Sequence, residues 1–305
     1  MATSVLFPAF AAEYSGTEEE VIYRFENNFR RLIETASNTV QTDLTGFDFR
    51  TVNFLDDELK SQYISYIYSC SVADILRDEK VNTSCVSGYS MGVYSAIYYC
   101  RSISFNDGLK LIKYAWDTIS GLTKDGKYGM GMLIGLEQSD IEKFLKTNTE
   151  VEICNQNNQH TFIISGKLNS VEKVLVSAKE EGALRTNLLP VSKPYHSELL
   201  KDTGPEFSRL IAQIPFYDPE YKYISAMDQK IITTGEDLRN EVIENLSCRM
   251  NWLETVKKMI ALGTDTFFEC GAGDSLTRNS RFIDGNQKTY SVGKLVNFLE
   301  TVRSE

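Results

Sequence analysis

Ser90 and His196 are the side chains whose setting in this sequence could do covalent chemistry. Ser90 lies in Gly88-Tyr89-Ser90-Met91-Gly92, a G-x-S-x-G pentapeptide. A compact apolar run, Thr83–Val86, precedes the first glycine, and an apolar, aromatic run, Val93–Tyr99, follows the second. Strand, sharp turn and helix in that order form a nucleophile elbow, which exposes a serine at a helix N-terminus and needs small residues on either side to avoid clashes. The plainer alternative is a strand–turn–helix with no chemistry. A serine hydroxyl becomes a useful nucleophile only when a base takes its proton. The chain has two histidines, His160 and His196. His160 falls in the polar stretch Asn155–His160 and reads as a solvated turn residue. His196 sits in Val191-Ser192-Lys193-Pro194-Tyr195-His196-Ser197 and is the candidate base, with a purely structural histidine as the alternative. In α/β-hydrolases an acid and then a histidine near the C-terminus follow the serine. Here more than 100 residues follow the last histidine, so that order does not apply.

The elements that must position these groups alternate between short apolar runs and helical patterns, the signature of an α/β fold. Val5–Phe7 reads as a buried strand leading into a loop at Pro8. Gln62–Arg77 places Ile64, Ile67, Val72, Ile75 and Leu76 on one helical face. From about residue 127 to 190 the pattern changes. Tyr128–Leu136 is a strand candidate, Gln138–Leu145 a helix with Ser139 placed to cap it, and Val151–Cys154 with Thr161–Ser165 a hairpin around a polar loop. Ser170–Glu181 is a helix ended by Gly182, and Leu184–Leu189 a further strand. The order βαββαβ predicts a small ferredoxin-like subdomain at 127–190. It interrupts a large α/β-hydrolase-like body with a parallel sheet, built from 1–126 and 191–305. No Pro/Ser-rich linker supports a separate domain starting near 150.

Composition narrows the function. The 305 residues carry a formal charge of −10, which disfavours nucleic acid and anionic membrane as main partners. The six cysteines are scattered with no CxxC pair, as expected of reduced thiols in a cytoplasmic protein, and no metal-ligand cluster stands out. The N-terminal MATSVLFPAFAAEY ends like a signal peptide. However, no Lys or Arg precedes Arg24, and Pro8 breaks the apolar run. No apolar run approaches the ~18 residues that would span a bilayer. Gly129, Gly131 and Gly135 do not make a dinucleotide fingerprint and read as strand glycines. Glu18-Glu19-Glu20 reads as a solvated helix start, well placed against the helix dipole.

The order elbow, small unit, histidine resembles the malonyl-CoA:acyl-carrier-protein transacylase family over nearly the whole chain. Gly88-Tyr89-Ser90-Met91-Gly92 stands where that family has its GHSxG elbow, and Ser61-Gln62 where it has a Thr-Gln pair. Ile164-Ser165-Gly166 is similar to its ISG turn, and Leu189–Ser197 to its LPVSxPFHS segment. Asn245-Leu246-Ser247 through Trp252 is similar to its QLYNPVRW stretch, and Glu269–Gly273 to its ExGPG. The resemblance implies a Ser–His acyltransferase of fatty-acid or polyketide synthesis, moving an acyl group from coenzyme A to the phosphopantetheine arm of an acyl carrier protein, with no permanently bound cofactor. Two alternatives share the fold: a carrier-protein thioester hydrolase, and a carrier-binding subunit that has lost catalysis.

The same resemblance assigns residues. Ser90 and His196 would be nucleophile and base. Asn245, at the position of a histidine-orienting glutamine, would hold His196 through a backbone or side-chain carbonyl, or be an ordinary helix-end residue. The N–H groups of Met91 and Phe10 would form the oxyanion hole. Around Phe10 two family glycines are alanines here, which implies a reshaped loop. Ala115 stands where malonyl-loading members carry an arginine that clamps the free carboxylate, and it would line the acyl pocket with Tyr195. Lys113, two residues along the helix, points about 200° away. An uncharged acyl group such as acetyl, or a longer monoacyl chain, is therefore expected.

Overall fold

A computed structural model describes residues 2–9, 16–47, 57–283 and 285–303. Among them the chain forms strands β1 (Thr3–Phe7), β2 (Thr83–Gly88), β3 (Tyr128–Ile134), β4 (Val151–Asn158), β5 (Thr161–Lys167) and β6 (Arg185–Leu188). Four more follow: β7 (Lys222–Ile224), β8 (Ile231–Ile232), β9 (Thr266–Glu269) and β10 (Lys288–Tyr290). They make two sheets, in the orders β10-β9-β1-β2-β7-β8 and β4-β5-β3-β6.

The larger sheet is parallel from β10 to β7, with only β8 antiparallel at its edge. A parallel sheet buries both faces, so its strands are apolar on both sides. Strand β1 shows how: Val5 and Phe7 enter one core cluster while Leu6, pointing the other way, joins Trp252, Met259 and Phe267 in a second. The helix Glu58–Asp78 packs on the Val5/Phe7 side and is buried nearly all round. That explains why polar Ser61, Ser65 and Ser69 lie on it beside Ile64 and Ile67. Its start is fixed by the Asp57 side chain, which accepts from the Lys60 N–H.

The smaller sheet is fully antiparallel, with the helices Gln138–Leu145 and Leu168–Glu180 completing a βαββαβ order. Two local expectations change. The helix Gln138–Leu145 has Glu137 before it and no side-chain cap, so Ser139 lies inside its first turn. Strand β4 continues through Asn158 where a polar loop was expected, and Asn155, Asn157 and Asn158 are buried.

Candidate active site

Strand β2 ends at Gly88, and the helix Gly92–Tyr99 begins two residues after Ser90. The turn between them is forced. A Cβ on Gly88 would meet the Val93 nitrogen at 2.4 Å, and one on Gly92 the Phe7 carbonyl oxygen at 2.1 Å. Both positions therefore exclude every other residue. Ser90 itself has φ 55°, a left-handed conformation that is strained for a residue with a side chain by about 1–3 kcal/mol. The N–H of Tyr89 still donates to the Phe7 carbonyl at 2.8 Å, so the elbow stays stitched to β1 up to the residue before the serine.

His196 is brought to Ser90 by a loop also held in a left-handed turn, with φ 58° at His196. Its backbone N–H donates to the Leu246 carbonyl at 2.9 Å. The ring nitrogen Nε2 lies 2.6 Å from Ser90 Oγ, a hydrogen bond between residues 106 apart in sequence. The histidine is 2% exposed. Burial lowers its pKa to about 4, opposed by the backbone of Asn245 and Cys248. A neutral imidazole is thus favoured, ready to take the serine proton. Nδ1 makes no hydrogen bond of ordinary geometry among the described residues, although the backbone of Asn245 and Cys248 is close enough to favour the protonated ring. Among the described residues no buried carboxylate takes the part of a triad acid at that nitrogen.

Asn245 ends the helix Gly235–Glu244, but its side chain does not turn to the imidazole. Its Nδ2 donates to the Ser90 carbonyl at 3.3 Å, so the amide steadies the elbow and only the backbone faces the histidine. Met91 caps the helix Gly92–Tyr99; its N–H belongs to the donors that a helix start leaves without an internal partner. Phe10 lies outside the described residues.

Beside the serine is a cavity of about 40 Å³ that Ala115 and Tyr195 line together with Gln62, Met91, Trp116 and Leu246. Lys113 is elsewhere, exposed and ion-paired with Asp117. A larger groove of about 650 Å³, along Tyr23–Asn28, contains no nucleophile beside a base. His160 is exposed next to Glu137, as expected of a turn residue.

Sequence reasoning missed two networks. Tyr89 donates to Asn157 Oδ1 at 2.9 Å and accepts from Asn155 Nδ2 at 2.8 Å, while Asn155 Oδ1 accepts the Trp252 N–H at 3.2 Å. These bonds bury the asparagines of β4 against the elbow. The second centres on Glu58, which takes the Tyr195 hydroxyl on Oε1 at 2.9 Å and Ser192 on Oε2. Gln62 Nε2 donates to the same Tyr195 oxygen at 3.1 Å. Burial first, and then Glu58, hold the Tyr195 phenol well above its usual range. The i, i+4 spacing of Glu58 and Gln62 was the available signal, since it puts both on one helical face.

Among the described residues no group of three or more His, Cys, Asp or Glu could hold a metal, and no helix is long and apolar enough to cross a membrane. No family model matches the chain. Curated relatives do. The malonyl CoA-acyl carrier protein transacylase of Bacillus subtilis is 26% identical over 292 residues, 94% of this chain and 92% of that protein. The polyketide biosynthesis protein ThaF of Burkholderia thailandensis is 24% identical over 281 residues, 89% of this chain but 23% of that much longer protein. Among solved structures, a malonyl-transacylase in complex with its type II polyketide acyl-carrier protein has a TM-score of 0.90 at 22% identity, covering 99% of this chain and 100% of that one. FabD from Acinetobacter baumannii has a TM-score of 0.89 at 24% identity, covering 99% and 98%. The structural likenesses establish the fold, and the sequence relatives extend over nearly the full length of the chain. Together they make it similar, in sequence over nearly its whole length and in fold, to the malonyl-CoA:acyl-carrier-protein transacylases.

Proposed function

We propose that the chain transfers a non-dicarboxylic acyl group from coenzyme A to an acyl carrier protein through an acyl-Ser90 intermediate. The observation that carries this reading is the 2.6 Å contact between Ser90 Oγ and His196 Nε2, at a helix N-terminus and beside a small cavity. His196 takes the hydroxyl proton as Ser90 Oγ attacks the thioester carbonyl. The oxyanion that forms is met by the Met91 N–H, with a second donor from the loop after β1, at Phe10. The tetrahedral intermediate collapses, the C–S bond breaks, and His196 returns the proton to the coenzyme A thiolate. In the second half the phosphopantetheine thiol of the carrier gives its proton to His196 and attacks the acyl-serine; the C–O bond breaks, and His196 returns the proton to Ser90 Oγ, which restores both residues. Asn245 holds the serine backbone through both halves. Coenzyme A thioester and carrier are substrates, and nothing need stay bound between turnovers.

The acyl group follows from the cavity wall. Among the described residues no guanidinium lines the cavity beside Ala115 to pair with a malonyl carboxylate, and leaving it desolvated and unpaired costs several kcal/mol. The cavity of about 40 Å³ is a few times the ~10–15 Å³ that one water needs, a size that suits a short acyl group such as acetyl. We also read the segment 127–190 as a subdomain that walls the site. Two contacts support this: Glu152 on β4 accepts Ser197 Oγ at 2.6 Å, one residue past the histidine, and the Cys154 carbonyl accepts the Met250 N–H at 2.9 Å.

The deciding experiment incubates the protein with radiolabelled acetyl-, longer acyl- and malonyl-CoA, with and without carrier protein. Stable acyl-Ser90 that discharges to the carrier supports transfer. Rapid free-acid release without carrier shows a hydrolase instead, and absence of any label shows a carrier-binding subunit.

A further inference from the structure

Glu58 opens the helix Glu58–Asp78 and lies one turn before Gln62, so both side chains project from the same face. Gln62 lines the cavity beside Ser90. Glu58 is 7% exposed, and donors converge on both its oxygens: the Tyr195 hydroxyl at 2.9 Å, Ser192 Oγ at 2.8 Å and the Ser192 N–H at 3.1 Å. Three donors on two oxygens suit the acceptor-only, ionised carboxylate. Among the described residues no cation lies within ion-pair distance of it. Lys193, adjacent to Ser192, turns instead to Thr123 Oγ1 at 3.2 Å, with its ammonium 5.1 Å from the Trp116 ring centroid. The charge is therefore solvated by hydrogen bonds with no direct ion pair, Lys193 acting on it only at longer Coulombic range, and its field reaches the cavity through Tyr195. Tyr195 bridges the two, with its side chain lining the cavity and its hydroxyl on Glu58.

We propose that Glu58 is a specificity-determining residue of this pocket, whose buried carboxylate behind Tyr195 repels acyl groups that carry a second carboxylate. The inference rests on the acyl-transfer reading above and deepens it. Loss of an arginine at position 115 removes an attraction, whereas Glu58 adds a repulsion, and selectivity is the difference between the two. A consequence follows at position 115. An arginine introduced there brings a positive charge to the wall that Ala115 shares with Tyr195, and so offsets the field of the Glu58 carboxylate.

The test measures the rate of Ser90 acylation by mass spectrometry of the intact protein with acetyl-CoA and with malonyl-CoA. The readout is the ratio of the two rates. Glu58→Gln keeps the size and an acceptor but removes the charge, and lowers the acetyl:malonyl ratio about tenfold, the effect of one like charge roughly 10 Å away at the effective protein dielectric. Glu58→Asp keeps the charge and holds the ratio near that of the parent. An unchanged ratio in Glu58→Gln, or a parallel loss with both thioesters, overturns the proposal, since a purely structural strut would give either. A parent that labels faster with malonyl-CoA overturns it as well. If circular dichroism finds Glu58→Gln unfolded, Ala115→Arg decides. Malonyl labelling that rises about tenfold relative to acetyl is the expected result, because the new cation offsets Glu58, and a rate no faster than in the parent overturns the repulsion. A parent labelled by neither thioester defeats the acyl-transfer reading itself, and this inference falls with it.

Discussion

The side-chain amide of Asn245 donates to the backbone carbonyl of Ser90 at 3.3 Å, so the residue at the expected histidine-orienting position grips the nucleophile's own peptide. Its contribution is that of one long, neutral hydrogen bond, about 0.5–1.5 kcal/mol. Asn245→Ala is expected to lower the rate of Ser90 acylation about three- to tenfold while leaving the pH profile in place, because the backbone that faces His196 survives the change. A shift of the acidic limb in that variant, measured by acylation rate against pH, would show that the side chain acts on the imidazole after all.

Ser90 combines the proposed nucleophile with a strained backbone, and two substitutions separate these roles. Ser90→Ala and Ser90→Gly should both abolish covalent labelling and reduce turnover by several orders of magnitude. Only glycine relieves the left-handed φ of 55°, so Ser90→Gly should unfold about 1 kcal/mol less readily than Ser90→Ala in urea. Equal stabilities would mean that the elbow stores no strain.

The pH dependence has two opposed contributions. Burial lowers the His196 pKa to about 4, so the base stays neutral well below 6.5, and acylation should lose rate only as pH approaches 4. Because the folded value lies below the unfolded one, the folded chain binds fewer protons, and this histidine withdraws stability as pH falls from about 6.5 towards 4. Glu241, on the helix that carries Asn245, behaves in the other direction. Burial raises its pKa to about 7, so its neutral form favours the fold at low pH, and that contribution is lost as pH rises from 4.5 through 7. Glu241→Gln should therefore stabilise the protein most above pH 7 and least below 4.5. Thermal melts across pH check both signs, and a Glu241→Gln benefit that is greatest in acid would contradict the second.

Gly92 allows β1 and the nucleophile helix to approach until a Cβ would stand 2.1 Å from the Phe7 oxygen. Gly92→Ala forces backbone apart in a packed core and should cost about 1–3 kcal/mol. It should also slow acylation, because the displaced helix carries Met91 and Ser90. A variant of unaltered melting temperature would mean that the approach is looser than drawn.

Docking of an acidic carrier needs local cations on a chain whose net charge is −10. The resemblance would place Lys193, Lys201, Arg278 and Arg281 beside the active-site mouth; of these, Lys193 is half-buried against Trp116 and Arg278 is paired with Asp274. Lys201 and Arg281 remain exposed. Lys201→Glu with Arg281→Glu should raise KM for the carrier and weaken its salt dependence, with acyl-CoA labelling intact. Carrier kinetics identical to the parent would place the docking face elsewhere.

Much of this site could be read from local pattern. The elbow was legible because a strand, two obligatory glycines and a helix leave a compact trace in sequence, and His196 because only two histidines were available. The short apolar runs at 128–136 and 161–165 likewise read as strands. Asn155 and Asn157 were opaque for the opposite reason. A run of asparagines looks like a loop until Tyr89, more than sixty residues away, supplies partners that make its burial tolerable. Glu58 was hidden similarly, since an acidic residue at a helix start normally means solvent and a favourable dipole, and nothing local announced Ser192 and Tyr195 as its partners. Polar groups satisfied across long sequence distance escape pattern reading, and here they surround the chemistry.

The position of β1 between β2 and β9 bears on how the protein is made. This strand leaves the ribosome before either neighbour, and finds one at residues 83–88 and the other only at 266–269. Until the second arrives, one side of a wholly buried strand offers unpaired amides and carbonyls. Non-local closure of this kind is slow, and half-made sheets are prone to associate with one another. Ser90 meets His196 only after 106 further residues are added, so a nascent chain passes through a long interval in which it is sticky yet chemically silent. Expression at lower temperature, or with more chaperone, should thus raise the yield of active protein by acting on that interval and leave the finished fold unchanged.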